Sequence, residues 1–174
     1  MHKFESRIRA ICKKLTIPSE YESRYGLPLQ YEEDALVEIG SDIYNRTQYL
    51  SKEAAVSWEK MRKHANDEGI HLEVVSAFRS VDKQLSIIER KLEHGQSILE
   101  ILKVSAAPGY SEHHTGKAID ITTPGVEPLV ESFELTEAYR WLEKNASLYS
   151  FNLSYPIGHS GGVAYEPWHW AYCK

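Results

Sequence analysis

Long apolar segments are missing from this chain of 174 residues. Its first 22 residues mix charged and apolar positions, without the uninterrupted apolar stretch that a signal peptide requires. No other segment approaches the roughly 20 apolar residues that cross a bilayer. The sequence therefore predicts a cytoplasmic protein without a membrane span.

Positive charge and cysteine are also scarce. Lys and Arg number 20 against 25 Asp and Glu, which gives a formal net charge of -5. Because nucleic-acid binding depends on Lys and Arg contacts to phosphates, we expect no nucleic-acid partner. The two cysteines, Cys12 and Cys173, lack the paired spacing of a structural zinc site or a disulfide framework. We interpret them as reduced thiols, with one bridge between them as the alternative.

The apolar residues that are present, 42% of the chain, suffice for one core and predict a single domain over residues 1–174. Helical and strand periodicities follow one another without a regular βαβ alternation, which favours an α+β fold with a small antiparallel sheet, a metal cleft and flanking helices. Between Tyr21 and Gln48 the signals are mixed, and we predict an irregular packing or substrate-side region. The predicted helices run from Phe4 to Leu15, from an N-cap at Ser51 to Gly69, from Val81 to Glu93 and from Thr136 to Ala146, and the predicted strands cover 71–78, 117–122, 151–155 and 168–172.

The segment SEHHTGKAID contains the first candidate for chemistry. His113 lies in a loop, Gly116 lets the backbone turn, and Asp120 lies on the following strand, on the face opposite Ile119 and Ile121. A buried carboxylate there needs a counter-charge or a metal, so the segment is typical of two metal ligands on one sheet edge. The alternative is an aspartate that caps a turn beside exposed histidines.

The segment YEPWHWAY contains the second candidate. His169 alternates with Trp168 and Trp170, which would anchor the strand in the core and hold the imidazole rigidly. Pro167 interrupts regular pairing, so Glu166 and His169 can converge despite their spacing of three. The alternative is a core histidine satisfied by a hydrogen bond.

The two segments together supply two histidines and one aspartate. Ligation by His113, Asp120 and His169 leaves a fourth tetrahedral position for water, as a catalytic Zn²⁺ site requires, whereas a structural site would use four protein ligands. Such a metal lowers the pKa of its bound water, and Glu166 is placed to accept the proton.

The spacing of these residues resembles a family signature. The zinc D-alanyl carboxypeptidases of the VanY and LdcB type carry a similar pattern, and the resemblance extends from about residue 51 to the C-terminus. It also includes an Arg-Ser pair and a following glutamine, here in SAFRSVDKQ. The matching positions are Ser111, His113, Gly116, Ala118, Asp120, Glu166, Trp168 and His169, with Arg79, Ser80 and Gln84 upstream.

The resemblance implies a role for each matching residue. His113, Asp120 and His169 would be the zinc ligands and Glu166 the catalytic base. Arg79, also catalytic, would contact the substrate carboxylate or the developing oxyanion together with Ser111, and Ser80 and Gln84 would bind substrate. Phe78 departs from the tyrosine that relatives often carry there. Residues 51–174 would form the catalytic core, with residues 1–50 as a helical and irregular extension packed on it.

The other histidines are not assigned to the metal site. His114 lies beside a ligand, and a direct substrate role is the less favoured reading for it. His159 is read as part of a surface loop rather than of the cleft mouth. The remaining four are expected to be solvated surface residues: His2, His64, His71 and His94.

The implied activity is removal of a terminal D-alanine from peptidoglycan-derived peptides, with stem peptides or muropeptides as partners. Because a cytoplasmic location suits the recycling of cell-wall tetrapeptides, L,D-cleavage is favoured slightly over D,D-cleavage of pentapeptides. A D-Ala-D-Ala dipeptidase and an endolysin-type peptidase that cuts L-Ala-D-Glu bonds are alternatives. A zinc-binding interaction module without catalysis is a reading of another class, disfavoured because Glu166 is present.

Overall fold

The computed structural model describes residues 2–159 and 162–173. Its helices are α1 (His2–Lys14), α2 (Tyr21–Tyr25), α3 (Lys52–Asp67), α4 (Val81–Glu93), α5 (Ile98–Ile101) and α6 (Glu137–Asn145). Its strands are β1 (Leu36–Ser41), β2 (Thr47–Ser51), β3 (Glu73–Ser76), β4 (Ala118–Thr122), β5 (Phe151–Leu153) and β6 (His169–Tyr172). Short 3-10 turns cover Glu112–Thr115, Glu131–Leu135 and Ala146–Tyr149.

The strands form two antiparallel sheets. Strands β1 and β2 make a hairpin, and the other four are ordered β3-β4-β6-β5. In the larger sheet β4 pairs with a strand that follows it by some fifty residues, which brings distant motifs together at its centre. The predicted α+β class, a small antiparallel sheet flanked by helices, is confirmed.

One apolar core lies between the four-stranded sheet and helices α3 and α6. Trp58 and Met61 from α3 are fully buried there, against Ile119 and Ile121 of β4. Because side chains alternate along a strand, the two isoleucines on the core face leave Asp120 on the other face. This packing therefore orients the aspartate away from the apolar core.

A second apolar core joins α1 and α2 to α4 and α5, with Leu15, Ile88 and Ile101 buried in it. Ion pairs also link α1 to α4, with Arg7 Nη2 2.6 Å from Asp82 Oδ1 and Lys14 Nζ 2.7 Å from Glu89 Oε1. Both pairs are exposed, so packing contributes more than charge to this contact. The division into one domain with a core and an N-terminal extension stays a prediction.

The segment predicted as irregular, Tyr21 to Gln48, is regular over just under half of its length, and the prediction was wrong for that part. It contains α2, β1 and the start of β2. The hairpin turn is held by Asp42, whose Oδ1 accepts the backbone N–H groups of Tyr44 and Arg46, both at 2.9 Å. Asn45 adopts the left-handed region at φ 58°, a conformation common for asparagine in turns. Since most of β1 is exposed, its sequence lacks a strong apolar alternation.

Several predicted boundaries shift by a few residues. Helix α4 has the predicted limits, but the strand predicted over 71–78 covers only Glu73–Ser76, and the helix α5 was not predicted. Ser51 is the last residue of β2 and precedes α3, yet its hydroxyl makes no capping bond. Ser97 and Glu100 form a capping box at α5, so the sequence did carry a signal for that helix.

Two other predictions concern cysteine and membranes. Cys12 is half-buried and Cys173 exposed, and both are free, which agrees with the thiol interpretation. Across the described ranges, no helix has both the length and the apolar content to cross a bilayer. The cytoplasmic location stays a prediction.

Candidate metal centre and cleft

The pairing of β4 with β6 sets Asp120 directly opposite His169. Their side chains meet with Nδ1 of His169 3.0 Å from Oδ1 of Asp120. Both residues are buried. The register of two strands therefore fixes two of the three predicted ligands.

The third predicted ligand, His113, comes from the 3-10 turn that precedes β4. Its Nε2 lies 3.2 Å from Oδ2 of Asp120, and its Nδ1 donates to the carbonyl of Ala77 at 2.6 Å. Gly116 ends the turn in the left-handed conformation, φ 63°. A Cβ there would lie 2.8 Å from the backbone nitrogen of Ser51, so the close approach of the turn to β2 needs a glycine.

These three side chains suit a divalent cation. One ligand atom from each lies within 4.8 Å of the others, and the described part of the chain adds no fourth member to the group. Because Nδ1 of His113 donates to a carbonyl, the neutral ring presents a lone pair to the Asp120 carboxylate. Two acceptors that face each other are stabilised by a cation between them, and two imidazoles with one carboxylate are a typical zinc donor set.

A carboxylate outside this trio holds the ring of His169. Oε2 of Glu112 lies 2.9 Å from Nε2 of His169 and accepts from the Ser154 hydroxyl at 2.6 Å. Burial alone would lower the pKa of His169, but its hydrogen bonds to Asp120 and Glu112 raise that pKa to about 10. The sequence analysis missed Glu112, although ligating histidines commonly have a carboxylate partner and Glu112 precedes His113 directly.

Glu166 and His169 converge, as predicted. The turn at Pro167 is closed by a hydrogen bond from the N–H of His169 to the carbonyl of Glu166, 3.1 Å. It places Oε2 of Glu166 3.8 Å from Nδ1 of His169. Burial raises the pKa of Glu166 to about 7, with Asp120 and Glu112 adding to the rise and His169 and Arg79 opposing it. A carboxyl group with such a pKa exchanges protons readily near neutral pH.

Arg79 is held beside the trio. Its Nη1 donates to Oε1 of Gln84 at 3.0 Å, and its Nη2 lies 3.8 Å from Oδ2 of Asp120. Gln84 in turn donates to the carbonyl of Ala106 at 2.7 Å. The buried Nε of Arg79 has no hydrogen-bond partner among the described residues. Since Arg79 lines the cleft, its guanidinium is placed to meet a group that enters there.

Ser111 and Ser80 are placed differently. Ser111 lines the same cleft as His113 and Asp120. The Ser80 hydroxyl accepts from the N–H of Lys83 and caps α4, and Ser80 is not among the cleft-lining residues. The structure accounts for Ser80 through this cap, and a direct substrate contact by it stays a prediction.

His114 is a buried link between backbone segments. Its Nε2 accepts from the N–H of Gly109 at 3.0 Å, and its Nδ1 bonds to the carbonyl of Arg79. Both ring nitrogens are therefore occupied by backbone, which leaves none for a substrate. Burial lowers the pKa of His114 to about 4.

Two other histidines also have defined contacts. His64, predicted to be a solvated surface residue, is half-buried, with Nδ1 2.8 Å from the Tyr149 hydroxyl and its ring edge-on to Trp141; that prediction was wrong. His159 is half-buried, and its Nε2 bonds to the carbonyl of Val163 at 2.7 Å.

The trio, Glu166 and Arg79 share one cavity of about 480 Å³. Its walls come from α4, the segment after α5, and the chain that leads into β6. Tyr155 also lines it, with its ring centroid 4.9 Å from that of His169. The cavity has the size of a small-molecule or peptide site and contains the perturbed carboxyl group that a hydrolytic site requires.

Comparisons with known proteins agree with this geometry. Residues 47–174 match the profile of the family described as VanY, D-alanyl-D-alanine carboxypeptidase. The chain is similar to YodJ of Bacillus subtilis (strain 168), with 34% identity over 162 residues that cover 86% of this chain and 57% of that protein. It therefore spans little more than half of that relative's length.

The chain is also similar to solved structures of carboxypeptidases of this kind. The structure of the LdcB LD-carboxypeptidase superposes with a TM-score of 0.73 and 34% identity, covering 83% of this chain and 71% of that one. A mutant of the vancomycin-resistance D,D-pentapeptidase VanY, in complex with Zn(II), superposes with a TM-score of 0.59 and 25% identity, covering 86% of this chain and 80% of that one.

Proposed function

Because the chain belongs to the VanY D-alanyl-D-alanine carboxypeptidase family, we propose that it is a zinc-dependent carboxypeptidase that removes a terminal D-alanine from peptidoglycan peptides. The observation that supports this most is the buried trio of His113, Asp120 and His169, with its ligand atoms within 4.8 Å of one another. Glu166 and Arg79 face the same cavity.

His113 through Nε2, His169 through Nδ1 and Asp120 through its carboxylate would hold the ion. When bound, zinc supplies Lewis acidity that activates water and polarises the scissile carbonyl. Nδ1 of His169 lies 3.0 Å from Oδ1 of Asp120, and an imidazole nitrogen that ligates an ion carries no proton, so an ion at this site would bind with release of any proton held between them. The backbone of Ala77 and the carboxylate of Glu112 keep the two rings oriented for this exchange.

Glu166 is the proposed base and acid. Its pKa of about 7 lets the carboxylate accept a proton from the attacking water near neutral pH. The same carboxyl group then donates that proton to the nitrogen of the departing D-alanine. The turn at Pro167 keeps the carboxylate beside the trio during both transfers.

Arg79 is the proposed electrostatic partner of the substrate. Gln84 fixes Nη1 of its guanidinium, while Nη2 lies on the side of the trio, 3.8 Å from Oδ2 of Asp120. A preorganised donor of this kind stabilises negative charge that develops on the carbonyl oxygen. Ser111 and Gln84 complete the wall against which the peptide lies.

For the bond that is cut, we propose L,D-cleavage of tetrapeptides. The support is the likeness to the LdcB LD-carboxypeptidase, at 34% identity and a TM-score of 0.73. D,D-cleavage of pentapeptides is the alternative, supported by the likeness to the zinc-bound VanY structure.

One experiment separates these readings. The zinc-loaded protein is incubated with stem tetrapeptides and pentapeptides, with and without a chelator, and the products are identified by mass. Loss of one alanine from the tetrapeptide is the expected result, and loss only from the pentapeptide would establish D,D-cleavage instead. Release of the dipeptide D-Ala-D-Ala would indicate a dipeptidase, and cleavage between L-Ala and D-Glu an endolysin-type enzyme. Absence of any cleavage by zinc-loaded protein would favour a non-catalytic binding module.

A further inference from the structure

Helix α4 lines one wall of the cleft beyond the metal centre. Gln84, Ile87 and Lys91 recur at spacings of three and four, so they lie on one face of the helix, and Arg90 also lines the cavity. The rise of an α-helix places Lys91 roughly 10 Å along the axis from Gln84. An extended peptide advances about 3.4 Å per residue, so this part of the wall faces groups within about three residues of the scissile bond.

The two cations of this wall form no ion pair with any of the described residues. Nζ of Lys91 donates to the neutral hydroxyl of Ser105 at 2.9 Å. In the ranges that the structure describes, no carboxylate lies within ion-pair distance of Lys91 or Arg90. Elsewhere, basic residues such as Arg7 and Lys14 do have acidic partners. Apart from Asp120 and Glu166 beside the metal centre, Glu131 is the one carboxylate among the described cavity-lining residues, and it is exposed.

Lys91 is half-buried in this wall. Burial lowers the pKa of its ammonium group and the nearby Arg79 lowers it further, while the charge of Glu166 opposes the change without forming an ion pair. A partly desolvated ammonium group without a carboxylate is unfavourable by itself, and an anion that enters the cleft would offset that cost. The wall therefore has the charge and the polarity of an anion site.

We propose that Lys91, with Arg90 and the Ser105 hydroxyl, forms a subsite that binds a carboxylate of the peptide substrate and so selects peptides ionised near the scissile bond. The inference rests on the proposed carboxypeptidase function. Three carboxylates of a stem peptide have this chemistry: the C-terminal one, the α-carboxylate of a γ-linked D-glutamate, and the second carboxylate of a diamino-acid residue. Each can be replaced by its amide without changing the peptide's length.

The test combines peptide and protein variants. Tetrapeptides with one carboxylate amidated at a time are offered to the zinc-loaded protein, and kcat and KM are measured. Binding to the zinc-loaded Glu166→Gln variant is measured by calorimetry. Lys91→Met removes the charge and keeps a long side chain. Lys83→Met, an exposed lysine on the same helix that is not among the cleft-lining residues, is the matched control.

We expect Lys91→Met to raise KM and Kd about tenfold for the fully ionised peptide, with kcat within about twofold, and Lys83→Met to change neither. Amidation of the one carboxylate that the subsite binds should weaken binding to the parent protein by a similar factor and abolish the effect of Lys91→Met. The amidated peptide whose binding no longer depends on Lys91 therefore identifies the carboxylate that the subsite binds.

Two outcomes would overturn the subsite: unchanged KM and Kd in Lys91→Met, or an equal loss with every amidated peptide. Binding that depends on Lys91 without any cleavage would instead contradict the proposed function alone. Binding of no peptide would contradict both.

Discussion

Oε2 of Glu112 lies 2.9 Å from Nε2 of His169, on the side of the ring that faces away from the metal centre. The contact keeps a proton on Nε2 and leaves Nδ1 directed at Asp120. The Ser154 hydroxyl donates to the same carboxylate oxygen and orients it. Glu112 is therefore a positioning residue, which acts on the metal through the imidazole that it holds.

Glu112→Gln should weaken zinc binding about 10- to 100-fold, because the amide lacks the charge that increases the basicity of the imidazole. Competition with a chelating dye measures the affinity directly, without reference to activity. Glu127→Gln, at an exposed loop position, serves as the control and should leave the affinity unchanged. An affinity in Glu112→Gln equal to that of the parent would show that Glu112 does not tune the centre.

Glu166→Gln should reduce kcat by a factor of about 10² to 10⁴, because the amide cannot accept the proton of the attacking water. Zinc should stay bound, since Glu166 is not one of the three proposed ligands. Peptide cleavage and metal content are measured on the same preparation. Substantial activity in the zinc-loaded variant would contradict the role of general base.

Arg79→Lys should lower kcat/KM about 100-fold, because an ammonium group has a single nitrogen and cannot reach Gln84 and the substrate from two separate positions as the planar guanidinium can. The zinc affinity should change little. Arg62→Lys, on the exposed face of α3, is the control for the same exchange. Full activity of Arg79→Lys would mean that catalysis does not require the two separate guanidinium nitrogens of Arg79.

Gly116→Ala should destabilise the protein by roughly 2 to 4 kcal/mol. The left-handed backbone accounts for about 1 to 2 of this, and the contact of the new Cβ with the Ser51 backbone, at 2.8 Å, for the rest. Gly26→Ala is a matched control, because Gly26 has nearly the same φ, 64°, with open space around its Cβ position. Urea unfolding of both variants measures the difference, and equal losses would show that the close approach to β2 is unimportant.

The buried His114 should make the metal-free protein less stable in acid. Its folded-state pKa of about 4 lies below the ordinary value of 6.5, so only the unfolded chain takes up a proton between these pH values. Its contribution is complete above pH 6.5 and is lost as the pH falls through 4, by about 3 kcal/mol in total. Urea unfolding near neutral pH and at about pH 5 should show a smaller loss in His114→Gln than in the parent. Parallel losses would assign the acid sensitivity to other groups.

The sequence allowed some parts of this structure to be predicted because their signals are local. Helix α4 has a serine cap, an apolar face and a glycine after its end, and its limits were predicted correctly. The metal trio was predicted because a loop histidine is followed by a flexible turn and a strand aspartate, and because a second histidine lies between two tryptophans that anchor its strand. The structure brings those side chains together.

Other parts depend on contacts that only the folded chain makes. Glu112 was not singled out, since its partners Ser154 and His169 are 42 and 57 positions away in the sequence. The β1-β2 hairpin was missed because most of β1 is exposed and shows no apolar alternation. The bridging role of His114 also could not be predicted, because it bonds to the carbonyl of Arg79, 35 residues earlier.

The pairing of Asp120 with His169 makes the metal centre depend on the register between β4 and β6. Side chains on a strand point alternately to opposite faces, so a slip of β6 by a single position would exchange the imidazole for a neighbouring indole. A sheet paired out of register would place an indole, whose N–H has no lone pair for a metal, where the imidazole nitrogen belongs. Metal binding therefore depends on the correct pairing of β4 with β6, and a molecule with a shifted register would lack one of the three ligands.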